Sequence, residues 1–330
     1  MPGVALHFVV AERALESMRD SGSDRPFDLD DPAALNAYYH GAVGPDLGYF
    51  PGGWRVLSDL SHCVRTGALT RALIRGARTE LERAFALGWL THVLADRDIH
   101  PWIGRGVGEH LTGDRDRFVD GSSRPLDHLR VEMGVDAWFA ARHPTVRARR
   151  LQPAFDEVGV GFLVGAYART YGVAIQAERF LASHRATAAR ASQGLATLGL
   201  VGALMEDGER SLLLPGVRWV LQRAYQAAPL RGAPLAYLNP LKPSDWLLEA
   251  ISSAVEAHAS CCVDIASTGA ATLGDHNLDT GRLSVAESDH PGTERALDAL
   301  RDLQAAARGR APAVAAARGR DVTAQALLET

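Results

Sequence analysis

Cysteine is scarce in this chain, with only Cys63, Cys261 and Cys262 among 330 residues. An adjacent pair plus one distant residue builds no disulfide framework, and no CxxC offers thiolates to a metal. Cys63 reads instead as a small buried hydrophobe. Long apolar runs are missing too, so no stretch of about 18 residues is fit to span a bilayer. His7 and Glu12 interrupt the one N-terminal segment that resembles a leader, which makes a cytoplasmic location the expectation. Neither sign of charge dominates. A net charge of −4 and a pI near 6.3 leave no broad basic footprint for nucleic acid or an anionic membrane, so at most peripheral membrane contact is expected. Phosphate loops of the GxxxxGK[ST] or GxGxxG type are absent from any strand–helix setting, as is a GxSxG nucleophile elbow. Sustained period-two alternation, the mark of a half-buried strand, does not occur.

What is present is helical spacing. Val4–Arg19 has Leu6, Val10, Leu15 and Met18 near helical spacing. A second helix begins near Asp31, where Pro32 suits a first turn. Further helices fit Leu57–Thr66, Leu69–Arg75, Thr79–Asp98, Leu126–Arg142, Leu151–Tyr171, Ala177–Leu200, Pro215–Ala227, Ser244–Ile265 and Gly292–Ala307. His100 directly precedes Pro101 and is expected to end its helix. Gly104–Arg124, rich in Gly, Asp and Arg, reads as a loop that also carries Glu109 and His110. Arg308–Arg320 is low in complexity. The expectation is a single all-α domain over 1–307 and a flexible Ala/Arg/Gly-rich tail over 308–330. With 47% hydrophobic residues the chain has the apolar material for one core.

The chemistry lies in histidine. Seven of the twelve histidines fall within the first 128 residues, and five of those seven stand in patterned surroundings. His92, Asp96 and His100 follow one another at i, i+4 and i+8 in an apolar helix, so all three point toward one side. Ionisable groups in such a stripe need partners. For this triplet alone a bound cation and a metal-free hydrogen-bonded network are even readings. His128 and Glu132 repeat the i, i+4 spacing, His62 stands in SDLSH, Asp46 in GPD, and His7 on the first helix. Imidazole and carboxylate are what zinc takes when cysteine is not used. Eight such groups exceed the needs of one tetrahedral ion and point to two or three. Asp136 shares a face with Glu132 and is a candidate for holding a ligand imidazole from behind, or for an ordinary packing ion pair. Tyr49, Phe50 and Trp54 sit on a Gly/Pro-rich loop beside the GPD turn, where loop packing is the better reading for each.

These motifs, in this order over roughly Val4 to Asp136, resemble the zinc-dependent phospholipase C family, which is related to P1-type nucleases and to the N-terminal domain of glycosylphosphatidylinositol-specific phospholipase D. The resemblance implies a helical bundle with a metal cluster in its core. It implies that Asp46, His62 and His92 hold one zinc, with Asp96 bridging to a second ion at His7, and that His100, His128 and Glu132 hold a third. The chain begins Met1-Pro2-Gly3 and lacks the N-terminal tryptophan of the secreted enzymes, so the ion at His7 is expected to bind more weakly or to draw on water or the Pro2 amine. A later NLDTG, Asn277–Gly281, is similar to a C-terminal signature of the same proteins.

The implied activity is phosphodiester hydrolysis on a phospholipid or smaller phosphodiester. A water shared by two zinc ions is ionised near neutral pH and attacks phosphorus, with Asp46 as the catalytic residue that orients the water or takes its proton. A P1-type nuclease and a non-catalytic metal-binding protein are the alternatives. The sequence carries no signal for oligomeric state.

Overall fold

The computed structural model describes residues 3–20, 25–206, 240–268 and 270–308. Helix α1, Val4–Asp20, and α2, Pro32–Gly41, come first. A 3-10 turn at Pro45–Gly48 carries the GPD motif, and α3, Arg55–Cys63, and α4, Thr66–Gly76, follow. The longest helices are α5, Glu80–Thr112, and α9, Ala177–Glu206. Between them lie α6, Pro125–Arg142, α7, Pro144–Ala148, and α8, Gly161–Tyr171. Beyond residue 240 come α10, Asp245–Ser267, a 3-10 turn at Ser284–Glu287, and α11, Pro291–Ala307. Among the described residues there is no strand, only an isolated His276–Leu283 bridge. The expected helix at Pro215–Ala227 and the tail beyond Arg308 lie outside the described residues.

Local chemistry fixes the helix starts. The Asp31 carboxylate accepts from the Ala33 and Ala34 amides ahead of α2. Thr79 and Glu82 form a reciprocal cap at the start of α5. Helix α2 lies hard against α5 because two glycines meet backbone. A Cβ on Gly88 would stand 1.9 Å from the Tyr38 carbonyl, and one on Gly41 would stand 2.0 Å from that of Phe85. This contact brings the end of α2 within reach of His92.

Two expectations fail around Pro101. The helix does not end at His100, and Glu109 and His110 lie in its last turn rather than in a loop. A proline inside a helix removes one hydrogen bond and costs about 3 kcal/mol. Burial of Ile103 and Val107 beyond it draws the helix on. The glycines that read as loop are packing surface, since Gly104 faces the Phe118 ring and Gly108 the Arg117 carbonyl as the returning chain crosses α5. The expected helix over Leu151–Tyr171 begins only at Gly161. Before it, the Ala154 and Phe155 amides donate to the buried His184 ring, an arrangement that a helix would not allow.

Candidate metal centre

Five elements bring the candidate ligands together. Helix α1 supplies His7, the GPD turn Asp46, α3 His62, α5 His92, Asp96 and His100, and α6 His128 and Glu132. All eight are buried. They form three groups, His7/His92/Asp96, Asp46/His62/His92 and His100/His128/Glu132.

Asp96 is the hub. Its Oδ2 lies 3.0 Å from His92 Nε2 and 3.5 Å from His62 Nε2, while its Oδ1 lies 3.2 Å from His7 Nε2 and 3.6 Å from His100 Nε2. Asp46 Oδ1 stands 3.2 Å from His62 Nε2. In the third group Glu132 Oε1 is 3.0 Å from His128 Nε2 and 3.6 Å from His100 Nε2. Ligand atoms roughly 2.0–2.2 Å from a tetrahedral zinc ion lie about 3.3–3.6 Å from one another. The donor atoms are therefore spaced as if around ions. A cavity of about 10 Å³ between His7, Asp96, His100 and Glu132 has room for one small occupant.

The rings are aimed from behind. His62 Nδ1 lies 2.8 Å from the Ser58 carbonyl and His92 Nδ1 2.9 Å from that of Ala42. A carbonyl only accepts, so each Nδ1 carries the hydrogen and each Nε2 faces the carboxylates. His7 stacks on His92, ring centroids 3.9 Å apart. The Nε2 atoms of His7, His62, His92 and His100, both Asp46 oxygens and Asp96 Oδ2 are buried without a hydrogen bond. So many orphaned polar atoms in a folded core lack a partner of one kind, a cation.

The electrostatics agree. Against burial, which favours the neutral ring, Asp46 and Asp96 push the His62 imidazole up to about 10. Against burial, the surrounding imidazoles hold the Asp46 and Asp96 carboxyls below the usual range. Burial and the neighbouring His7 depress His92. The carboxylates thus favour positive charge on or beside His62, a demand that a zinc ion would answer.

Asp136 meets the centre through the backbone. Its Oδ1 accepts from the Leu6 amide at 2.7 Å and its Oδ2 from that of Ala5 at 3.1 Å, capping the helix that carries His7. A Cβ on Gly3 would overlap this carboxylate. Burial pushes the Asp136 carboxyl up to about 7 against the pull of the two amides. Arg97 pairs with Asp98 at 2.6 Å, which also faces His258. Glu109 binds Ser244 and Arg115, and His110 is exposed, so neither joins the centre.

An open cleft of about 480 Å³ leads to the ligands. Its lining includes His128, Glu132, Tyr49, Arg55, Asp279 and Arg295. Tyr49 is the aromatic of its loop that reaches the cleft, its ring centroid 5.1 Å from that of His62, whereas Phe50 is buried. Asp279 is the group that sequence reading missed. It belongs to the NLDTG segment, whose Leu278 amide donates to the His62 carbonyl at 2.8 Å. Against burial, His100 and His62 hold its carboxyl below the usual range. The motif itself was the available signal. Asp59, three residues before His62 in SDLSH, was missed as well and holds Tyr49 and two cleft arginines.

A helical bundle with inward His, Asp and Glu converging from several helices is the architecture of multi-metal proteins. Residues 6–188 match the family model described as zinc dependent phospholipase C, and the chain belongs to that family. No curated protein and no solved structure matches it. Zinc is thus the family's metal, and the donor set of imidazole and carboxylate without thiolate fits it.

Proposed function

We propose that the protein is a zinc-dependent phosphodiester hydrolase of phospholipase C type, acting on a phospholipid or smaller phosphodiester in the cleft over His128 and Glu132. What carries this reading is the convergence of eight buried imidazoles and carboxylates beside an open cleft in a chain of this family. Asp46, His62 and His92 would hold one ion, His7 and a shared Asp96 a second, and His100, His128 and Glu132 a third. Bound zinc supplies positive charge that polarises the phosphate and lowers the proton affinity of a water.

The chain's residues do the rest. Asp46, whose oxygens are buried and unbonded, accepts the proton of the attacking water and orients its lone pair toward phosphorus. The new phosphorus–oxygen bond forms as the bond to the lipid alcohol breaks, and the proton passes to the departing oxygen. The Ser58 and Ala42 carbonyls keep His62 and His92 from turning during this exchange. No serine or cysteine nucleophile is needed.

A P1-type nuclease is the second reading, favoured by Tyr49, Arg55 and Arg295, which place a ring and two cations beside the ligands. The test compares a chromogenic phosphocholine ester, a bis-aryl phosphodiester and single-stranded DNA on zinc-loaded protein. Turnover of the first two, abolished by chelator and restored by zinc, is expected. Turnover of DNA alone would favour the nuclease, and silence on all three a non-catalytic metal protein.

A further inference from the structure

The cleft contains a second device besides the ligands. Asp59 is buried and lies on α3, three residues before His62. Its Oδ1 accepts from the Tyr49 hydroxyl at 3.1 Å. Its Oδ2 faces Arg55 Nε at 3.2 Å and Arg295 Nε at 3.8 Å. Arg55 is thus hydrogen-bonded through its inner nitrogen, and Arg295 stands in ion-pair range of the same oxygen by its own. Among the described residues, the outer Nη atoms of both arginines have no hydrogen-bond partner. Tyr49 braces the pair, with the Arg55 guanidinium 5.6 Å from its ring centroid. The arginines come from opposite ends of the sequence, on α3 and α11, and line one wall of the same cleft as His128 and Glu132.

A guanidinium fork held by its Nε and open at its Nη atoms is pre-set for bidentate contact with a phosphate or carboxylate. Two forks on one buried aspartate keep a net positive charge, and the tether reduces the side-chain freedom lost on binding. The carboxylates that line the cleft lie on the side of the metal groups, Glu132 as a member of one and Asp279 next to Leu278, whose amide bonds the His62 carbonyl. We infer that Arg55 and Arg295 form an anion subsite for a second negative group on the substrate, beyond the phosphodiester that is cut. The inference rests on the proposed hydrolytic reading and narrows it to phospholipid headgroups that carry an extra phosphate or carboxylate, rather than choline. A nucleic-acid strand is disfavoured because, among the described residues, Tyr49 is the one Phe, Tyr or Trp ring lining the cleft, whereas strand-binding grooves stack successive bases.

The test uses three soluble short-chain lipids on zinc-loaded protein: dihexanoyl phosphatidylinositol 4-phosphate, phosphatidylinositol and phosphatidylcholine. Phosphatidylinositol 4-phosphate should exceed phosphatidylinositol in kcat/KM by about tenfold, the worth of one charge-assisted fork. Arg55→Gln and Arg295→Gln should collapse that ratio toward one. Both arginines are more than half exposed, so neither change threatens the fold. Arg75→Gln, in the separate basic groove between α4 and α8, controls for general charge loss and should leave the ratio intact. An unchanged ratio in both cleft variants, a ratio near one in the parent, or preference for single-stranded DNA over all three lipids overturns the subsite. If nothing is hydrolysed, calorimetry with inositol 1,4-bisphosphate still decides. Binding that weakens about tenfold in the cleft variants keeps the subsite while the hydrolytic reading falls. Absence of binding, or equal binding by parent and variants, overturns it.

Discussion

Asp96 and His92, one turn apart on α5, bring Oδ2 and Nε2 to 3.0 Å of each other, while the second oxygen of the same carboxylate faces His7 and His100. One side chain therefore serves both sides of the centre. Asp96→Asn keeps the shape but not the anionic pair of oxygens. Elemental analysis is expected to find at least two zinc ions in the parent and no more than one in the variant. His110→Ala, at an exposed helix end, should lose none. Equal losses would refute the hub.

His62 gives the metal-free protein a pH signature. Its imidazole rises to about 10 from 6.5, so the fold holds a proton that the unfolded chain releases. That stabilisation is complete below about pH 6.5 and fades as pH rises toward 10. Chelated protein should melt progressively lower between pH 7 and 10, and zinc-loaded protein should not follow. Calorimetry at pH 8 in buffers of different ionisation heat should show protons released on zinc binding.

Asp136 and His7 act as a pair. Asp136→Ala uncaps α1 and should cost about 1–2 kcal/mol in urea denaturation. In a stepwise zinc titration it should remove at most the ion at His7, as His7→Ala does. That ion should bind most weakly and appear as a separate phase. If either change empties every site, the ions load as one unit.

Gly281 tests the C-terminal contact with α5. Its φ is +72°, and a Cβ there would stand 2.4 Å from the Arg97 carbonyl, whose helical donor Pro101 removed. Gly113 also has a positive φ but open space around it. Gly281→Ala should cost roughly 1–3 kcal/mol more than Gly113→Ala, since only the former adds a clash to the backbone strain. Equal midpoints would mean that the loop yields.

Much of this was legible in the sequence because helix periodicity and metal chemistry are both local. His92, Asp96 and His100 share a face by spacing alone, and Asp31 and Thr79 stand at helix starts whose caps they form. What was not legible came from contacts between distant segments. Pro101 ends a helix on local rules, yet burial of Ile103 and Val107 carries it on. The glycines after it look like loop until the Phe118 ring and the Arg117 carbonyl are seen against them. Asp59 has Arg55 one turn away, but its second arginine, Arg295, and the imidazoles around Asp279 lie far along the chain. Asp136 shares a face with Glu132, but its bonds to α1 appear only when the two helices meet.

The bond from the Leu278 amide to the His62 carbonyl also has a timetable in it. Every candidate ligand of the centre is encoded by residue 132, whereas the segment that bonds the backbone of His62 comes at residue 278. A ribosome adding roughly 5–20 residues per second needs on the order of ten seconds to cover that gap. During that interval the nascent chain carries a full complement of imidazoles and carboxylates in an unfinished frame. Zinc captured early would meet a loose site, and the backbone of His62 gains its bond only once the segment around Leu278 has been made.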